Sequence, residues 1–116
     1  MIFLFAMIIE KKYRWLRVAK SIEELPFAAN DLVEMEVEGK RICIAKTANG
    51  LKACLSKCPH AGGNLAQGKI DQKGNIVCPV HGYIFNLKSG RDIMNEGYFL
   101  KIYPVKEDEK GIFIGF

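Results

Sequence analysis

Cys58, His60, Cys78 and His81 are the residues whose types and spacing can do chemistry. They read Cys58-Pro59-His60, then seventeen residues, then Cys78-Pro79-Val80-His81. The chain has only two histidines, and each sits just after a cysteine. Thiolates and imidazoles together are donors for soft and borderline metals. Two short loops carrying one of each predict a metal site.

Three readings of these four residues stand side by side. They can be unrelated: free core cysteines and surface histidines. They can form a Cys2His2 zinc site, since zinc accepts both ligand types. Zinc-finger spacing, however, usually clusters two cysteines and then two histidines. The third reading is a 2Fe–2S cluster ligated unevenly, with two cysteines on one iron and two histidines on the other. The mixed order follows if each loop reaches both irons.

The elements that must position these loops read as strands. With 116 residues, one domain spanning 1–116 is expected, long enough to bury a real core. Apolar residues make up 49% and charged residues 26%, ordinary for a globular protein. The net charge of +4 comes from scattered Lys and Arg with no basic run among stacking aromatics, so no nucleic-acid partner is expected. The acidic groups Glu34-x-Glu36-x-Glu38 and Glu107-Asp108-Glu109 are expected to be solvated strand edges or turns.

Residues 1–9 form an apolar N-terminal extension, Met1 to Ile9. Nine helical residues span about 14 Å, roughly half a bilayer core. No positive region precedes them and no small-residue cleavage site follows. A core or edge strand, or a start called too early with Met7 as the true first residue, is expected in place of a membrane anchor. The expected compartment is the cytoplasm, where thiols stay reduced.

Short apolar runs and period-two alternation predict strands at 13–18, 32–37, 41–46, 51–55, 76–77, 83–87, 98–105 and 111–116. Ser21 followed by Glu24 predicts a capped helical turn before Pro26. Glu38-Gly39-Lys40 and Ala48-Asn49-Gly50 predict hairpin turns. Glu107 to Lys110 joins the last two strands. No long amphipathic helix appears. The expectation is an all-β, antiparallel sandwich with a small inserted metal-binding subdomain at about 56–89. A hairpin centred on Ala48-Asn49 sets Cys43 opposite Cys54, as two free buried thiols or, less simply, a cross-strand disulfide. Trp15 is expected to pack on its strand.

The stretches CPHAGGNL and CPVHGYIFNLKSGR resemble the signature of Rieske iron–sulfur proteins. The likeness is specific over 57–91 and extends less closely over 12–116. It implies an antiparallel Rieske-like β-sandwich holding one 2Fe–2S cluster per chain. Cys58 and Cys78 resemble the ligands of the inner iron, and His60 and His81 those of the outer. Neutral imidazoles in place of two thiolates make such a cluster easier to reduce than an all-cysteine one. Their outward edges would give an electron exit and a titratable group. Around the cluster the resemblance places Gly62, Gly63 and Gly82, which let the backbone approach it, and Pro79, which restricts its loop. It also places Leu65 as an apolar lid, with Tyr83 and Phe85 nearby.

Departures from the family's high-potential members also bear on function. The positions of their extra loop disulfide are Gly63 and Val80 here, and those of their Ser and Tyr hydroxyls are Tyr83 and Phe85. Fewer hydrogen-bond donors imply a midpoint near the low end of the Rieske range, roughly −150 mV. No histidine follows Arg91, so these residues hold no second, mononuclear iron site of an oxygenase. The resemblance therefore implies a small one-electron carrier, a ferredoxin and not itself an enzyme. Its expected partners are a flavin reductase and a terminal oxygenase or reductase subunit. The alternatives are a Rieske-like small subunit of an NAD(P)H nitrite reductase, or a zinc-stabilised binding module. The tip carrying His60 and His81, with Ala61, Val80 and Tyr83, is the expected partner surface.

Overall fold

The computed structural model describes residues 12–116, so the apolar run Met1–Ile9 lies outside the described residues. Ten strands follow in order: β1 (Trp15–Ala19), β2 (Leu32–Val37), β3 (Lys40–Thr47), β4 (Gly50–Leu55), β5 (Lys69–Ile70), β6 (Ile76–Val77), β7 (Ile84–Phe85), β8 (Ile102–Tyr103), β9 (Val105–Asp108) and β10 (Gly111–Gly115). They form three antiparallel sheets, β1-β10-β9, β2-β3-β4-β8 and β5-β6-β7. The helical residues described are two single 3-10 turns, Ile22–Glu24 and Leu65–Gln67. Among the described residues, no helix is long and apolar enough to cross a membrane.

The four-stranded sheet is the middle layer. Its strand β3 buries Ile42, Cys43, Ile44 and Ala45 in succession. Alternate side chains point to opposite faces, so a run this apolar must be covered on both. Ile42 and Ile44 join Val33, Ala53, Tyr103, Ile112 and Ile114 in a core shared with the β1-β10-β9 sheet. Cys43 and Ala45 face the other way, into a core with Leu32, Cys54, Cys58, Leu65, Ile76, Cys78, Phe85 and Leu100. The second core therefore joins the main sheet to the metal-motif loops. Each fully buried Ile or Phe contributes about 1.5–3 kcal/mol.

Turn chemistry fixes the registers. Val37 pairs with Lys40 across Glu38 and Gly39, both in the left-handed region at φ 52° and 81°. Thr47 pairs with Gly50, which puts Cys43 directly opposite Cys54, as the hairpin spacing predicts.

Several local expectations are corrected. The stretch 98–105 is not one strand. Pro104 has no N–H for a ladder, and the chain changes sheet there. Before it, β8 pairs with β4, and after it, β9 pairs with β10. Glu107 and Asp108 belong to β9, leaving Glu109 and Lys110 as the turn. The strand expected at 83–87 is only Ile84–Phe85, because Asn86 turns the chain, its side chain accepting from Lys88 N and Ser89 N at 2.7 and 3.0 Å. The turn at 22–24 is real, but Ser21 makes no side-chain cap; instead Glu24 Oε1 accepts from Lys20 N at 2.6 Å.

Glu34 departs from the expected solvated edge. Its side chain is 17% exposed and accepts from Arg41 at 2.8 Å and Asn64 at 3.4 Å. The hydrogen bond from the Arg41 guanidinium holds the Glu34 carboxyl below its usual range. Asn64 in turn starts the 3-10 turn at Leu65–Gln67 by accepting from Ala66 N at 2.9 Å. Asn30 donates to Ala66 O and Gly68 O at 3.1 and 3.0 Å. These bonds fasten the first metal-motif loop to the edge of the main sheet.

Candidate metal centre

The first loop leaves β4 at Ser56 and is closed by a bridge between Lys57 and Asn64. Inside it, Cys58 N donates to Gly63 O at 2.8 Å and Gly62 N donates to Cys58 O at 2.9 Å. Gly62 takes φ 74°, which permits this tight return. The second loop runs from β6 to β7 and is closed by Cys78 N donating to Tyr83 O at 2.7 Å. His81 and Gly82 both lie in the left-handed region, at φ 67° and 71°. For a non-glycine such as His81 this costs on the order of 1 kcal/mol, strain placed where the side chain must be aimed.

The two loops meet. A Cβ on Gly63 would lie 2.8 Å from Val80 Cγ2 and 3.0 Å from Cys78 Sγ. Cys58 and Cys78 are each 1% exposed, and the two thiols are near enough to influence each other. Burial pushes the Cys78 thiol up, and the adjacent Cys58 pushes it further, while the Val80 N–H pulls it back. Two cysteine sulfurs buried side by side suit a metal, which binds them as thiolates.

The histidines stand beside them, ring centroids 5.5 Å apart and planes at 71°. His60 Nδ1 is buried and has no hydrogen-bond partner. Such an orphan needs a reason, and a nitrogen left bare for a metal is one. The His60 ring lies flat on Tyr83, 3.7 Å between centroids and 15° between planes. His81 is exposed, as are Ala61, Pro79 and Val80. Leu65 and Phe85 are fully buried in the same core as both cysteines. Among the described residues, no three His, Cys, Asp or Glu side chains are grouped to hold one metal ion. The donor set and its burial fit the 2Fe–2S cluster.

The site also uses residues that the sequence motifs did not mark. Tyr98 stands edge-on to His60 at 5.1 Å and to Tyr83 at 5.6 Å. The Tyr83 hydroxyl donates to Glu96 Oε1 at 2.7 Å, and this bond raises its pKa to about 12. Asp92 accepts from Glu96 N and Tyr98 N at 3.0 and 2.8 Å. These and the neighbouring amides hold its carboxyl below the usual range. No periodicity announces these roles; they arise because Phe85 bridges Asp92 and folds the segment back over the second loop.

Comparison with known proteins agrees with this geometry. The Rieske [2Fe-2S] domain family matches residues 14–98, and the chain belongs to that family. Its cofactor is a Rieske-type 2Fe–2S cluster. The carnitine monooxygenase oxygenase subunit of Escherichia coli (strain K12) is 32% identical over 109 residues, covering 86% of this chain and 29% of that subunit. The chain thus spans under a third of such relatives. The ferredoxin component of an alkene monooxygenase system from Xanthobacter autotrophicus (strain ATCC BAA-1158 / Py2) is 28% identical over 58 residues, half of this chain (50%) and 48% of that protein. Among solved structures, the ferredoxin of carbazole 1,9a-dioxygenase from Nocardioides aromaticivorans IC177 shares the fold. Its TM-score is 0.72 and its identity 21%, with 86% of this chain and 95% of that one covered. A candidate NADH-dependent nitrite reductase small subunit from Mycobacterium tuberculosis does likewise, with TM-score 0.76, identity 17%, and coverages of 91% and 97%.

Proposed function

We propose that this chain is a one-electron carrier in which Cys58 and Cys78 hold the inner iron and His60 and His81 the outer iron. The carrying observation is the split in burial: both cysteines are 1% exposed, while His81 is exposed at the loop tip. When bound, the cluster takes up and gives back a single electron. Buried thiolates keep water from the inner iron, and an exposed imidazole gives a short path to a docked protein. Gly62, Gly63 and Gly82 let the loops close, Pro79 restrains one of them, and Leu65 and Phe85 wall the site. In this reading residues 56–89 are the cluster-binding part of one domain.

The partners follow from the same site. A flavin reductase would supply the electron and a terminal oxygenase or reductase subunit would receive it, in the cytoplasm. The relatives support an oxygenase system. The likeness to a nitrite reductase small subunit supports the second reading, a permanent subunit of a larger enzyme. Co-purification of a flavin or sirohaem subunit would favour the second, and brief, salt-sensitive docking the first.

The deciding experiment is iron and acid-labile sulfide analysis of the purified protein, with EPR after dithionite reduction. Two irons and two sulfides per chain with a Rieske-type signal are expected. A colourless protein holding one zinc would reject the carrier reading.

A further inference from the structure

We infer that Glu96 is a positioning residue for His60, acting through Tyr83. The inference rests on the reading of His60 as a metal ligand and deepens it. A flat stack fixes the tilt of an imidazole but leaves it free to slide. Three contacts remove that freedom. The first is the stack of His60 on Tyr83, at 3.7 Å. Next, Tyr98 meets His60 edge-on, 80° from its plane. Finally, the Tyr83 hydroxyl is tied to Glu96 Oε1 at 2.7 Å, which pins the far end of the stacking ring. A hydrogen bond to a carboxylate is shorter and roughly twice as strong as a neutral one, so it holds a ring edge well.

One buried carboxylate organises the whole arrangement. Asp92 Oδ1 accepts from Glu96 N, the residue that pins Tyr83. Asp92 Oδ2 accepts from Tyr98 N, the residue that supplies the second wall. Asn95 N donates to Asp92 O at 3.2 Å, and Asn95 takes φ 59° to close the turn. Glu96 itself is exposed, and its hydrogen bond from the Tyr83 hydroxyl is its evident contribution. Groups behind a metal-binding imidazole fix its orientation and tune the metal.

The test reads His60 directly. Histidine-selective isotope labelling resolves the ring resonances, since the chain has only two histidines. Glu96→Ala, Glu96→Gln and Tyr83→Phe are compared with the parent protein as purified, by NMR, and after reduction by the histidine nitrogen couplings in pulsed EPR. Glu96→Ala and Tyr83→Phe are expected to shift and broaden the His60 ring resonances and to widen the spread of nitrogen couplings. Glu96→Gln keeps an oxygen acceptor and is expected to restore both. Unchanged His60 signals in Glu96→Ala would overturn the assignment. So would a shift in Glu96→Gln as large as in Glu96→Ala, because the charge and not the hydrogen bond would then be acting. If the protein carries no iron and sulfide, the cluster reading fails on its own. The NMR comparison still decides whether Glu96 orients His60.

Discussion

Gly63 and Val80 face each other where the two metal-motif loops meet: a Cβ on residue 63 would stand 2.8 Å from Val80 Cγ2. The same Cβ would stand 3.0 Å from Cys78 Sγ. Gly63→Ala should therefore push the loops apart, an overpacking cost of about 1–3 kcal/mol. Reduced iron content per chain is the expected result. Gly63→Ala combined with Val80→Ala removes one of the two clashes and should recover part of the iron. Full iron content in Gly63→Ala alone would show that the loops need not approach so closely.

His81 is the exposed member of the proposed ligand set, held at φ 67°. His81→Cys replaces a neutral imidazole by a thiolate and adds negative charge. The midpoint should fall by on the order of 100 mV, toward all-cysteine ferredoxins, or the cluster should be lost. Potentiometry and the visible spectrum check this. A parental midpoint and spectrum would remove His81 from the ligand set.

Asp92 ties acid stability to the segment over the second loop. Its folded pKa lies below the ordinary 3.8, chiefly through the amide of Glu96. A depressed carboxyl stabilises the fold fully above that ordinary value and loses its contribution as pH falls through the folded one. Tyr98 and Glu96 should therefore loosen only below about pH 4, seen as exchange broadening of their amides. Asp92→Asn should abolish this acid step. The same broadening in that variant would assign it to another group.

Cys43 and Cys54 are fully buried and unbridged. The hydrogen bond with Cys43, together with burial, pushes the Cys54 thiol well up, so Cys54 is not poised for oxidation. Thiol titration of the unfolded, iron-free chain should find all four cysteines. Cys43→Ser with Cys54→Ser should keep the iron and sulfide, at some cost in thermal stability. A titre of two would mean a bridge between the strands.

Features settled by neighbours in sequence are legible in it. Glu38-Gly39-Lys40 and Ala48-Asn49-Gly50 announce their hairpins, and the second turn, centred on Ala48-Asn49, alone sets Cys43 opposite Cys54. The two Cys/His stretches mark the meeting loops because their spacing is local to each. Features settled by distant packing are not legible. Glu34 reads as one more surface acid, and only the arrival of Arg41 and Asn64 covers it. Alternation carries the eye straight through Pro104, although the missing amide sends the chain to another sheet. Tyr98 reaches His60, and Asp92 and Glu96 come in behind it, only because the chain doubles back after β7.

Cys43 and Cys54 share one continuous interior with Cys58 and Cys78. The floor under the site is thus the central layer of the domain, with no partition between them. Loss of the iron would free Cys58 and Cys78 within that shared interior, and the loosening should spread to Cys43 and Cys54 in β3 and β4. A chelator should then lower the melting temperature of the entire molecule as well as bleach it, and proteases should find the stripped chain throughout its length.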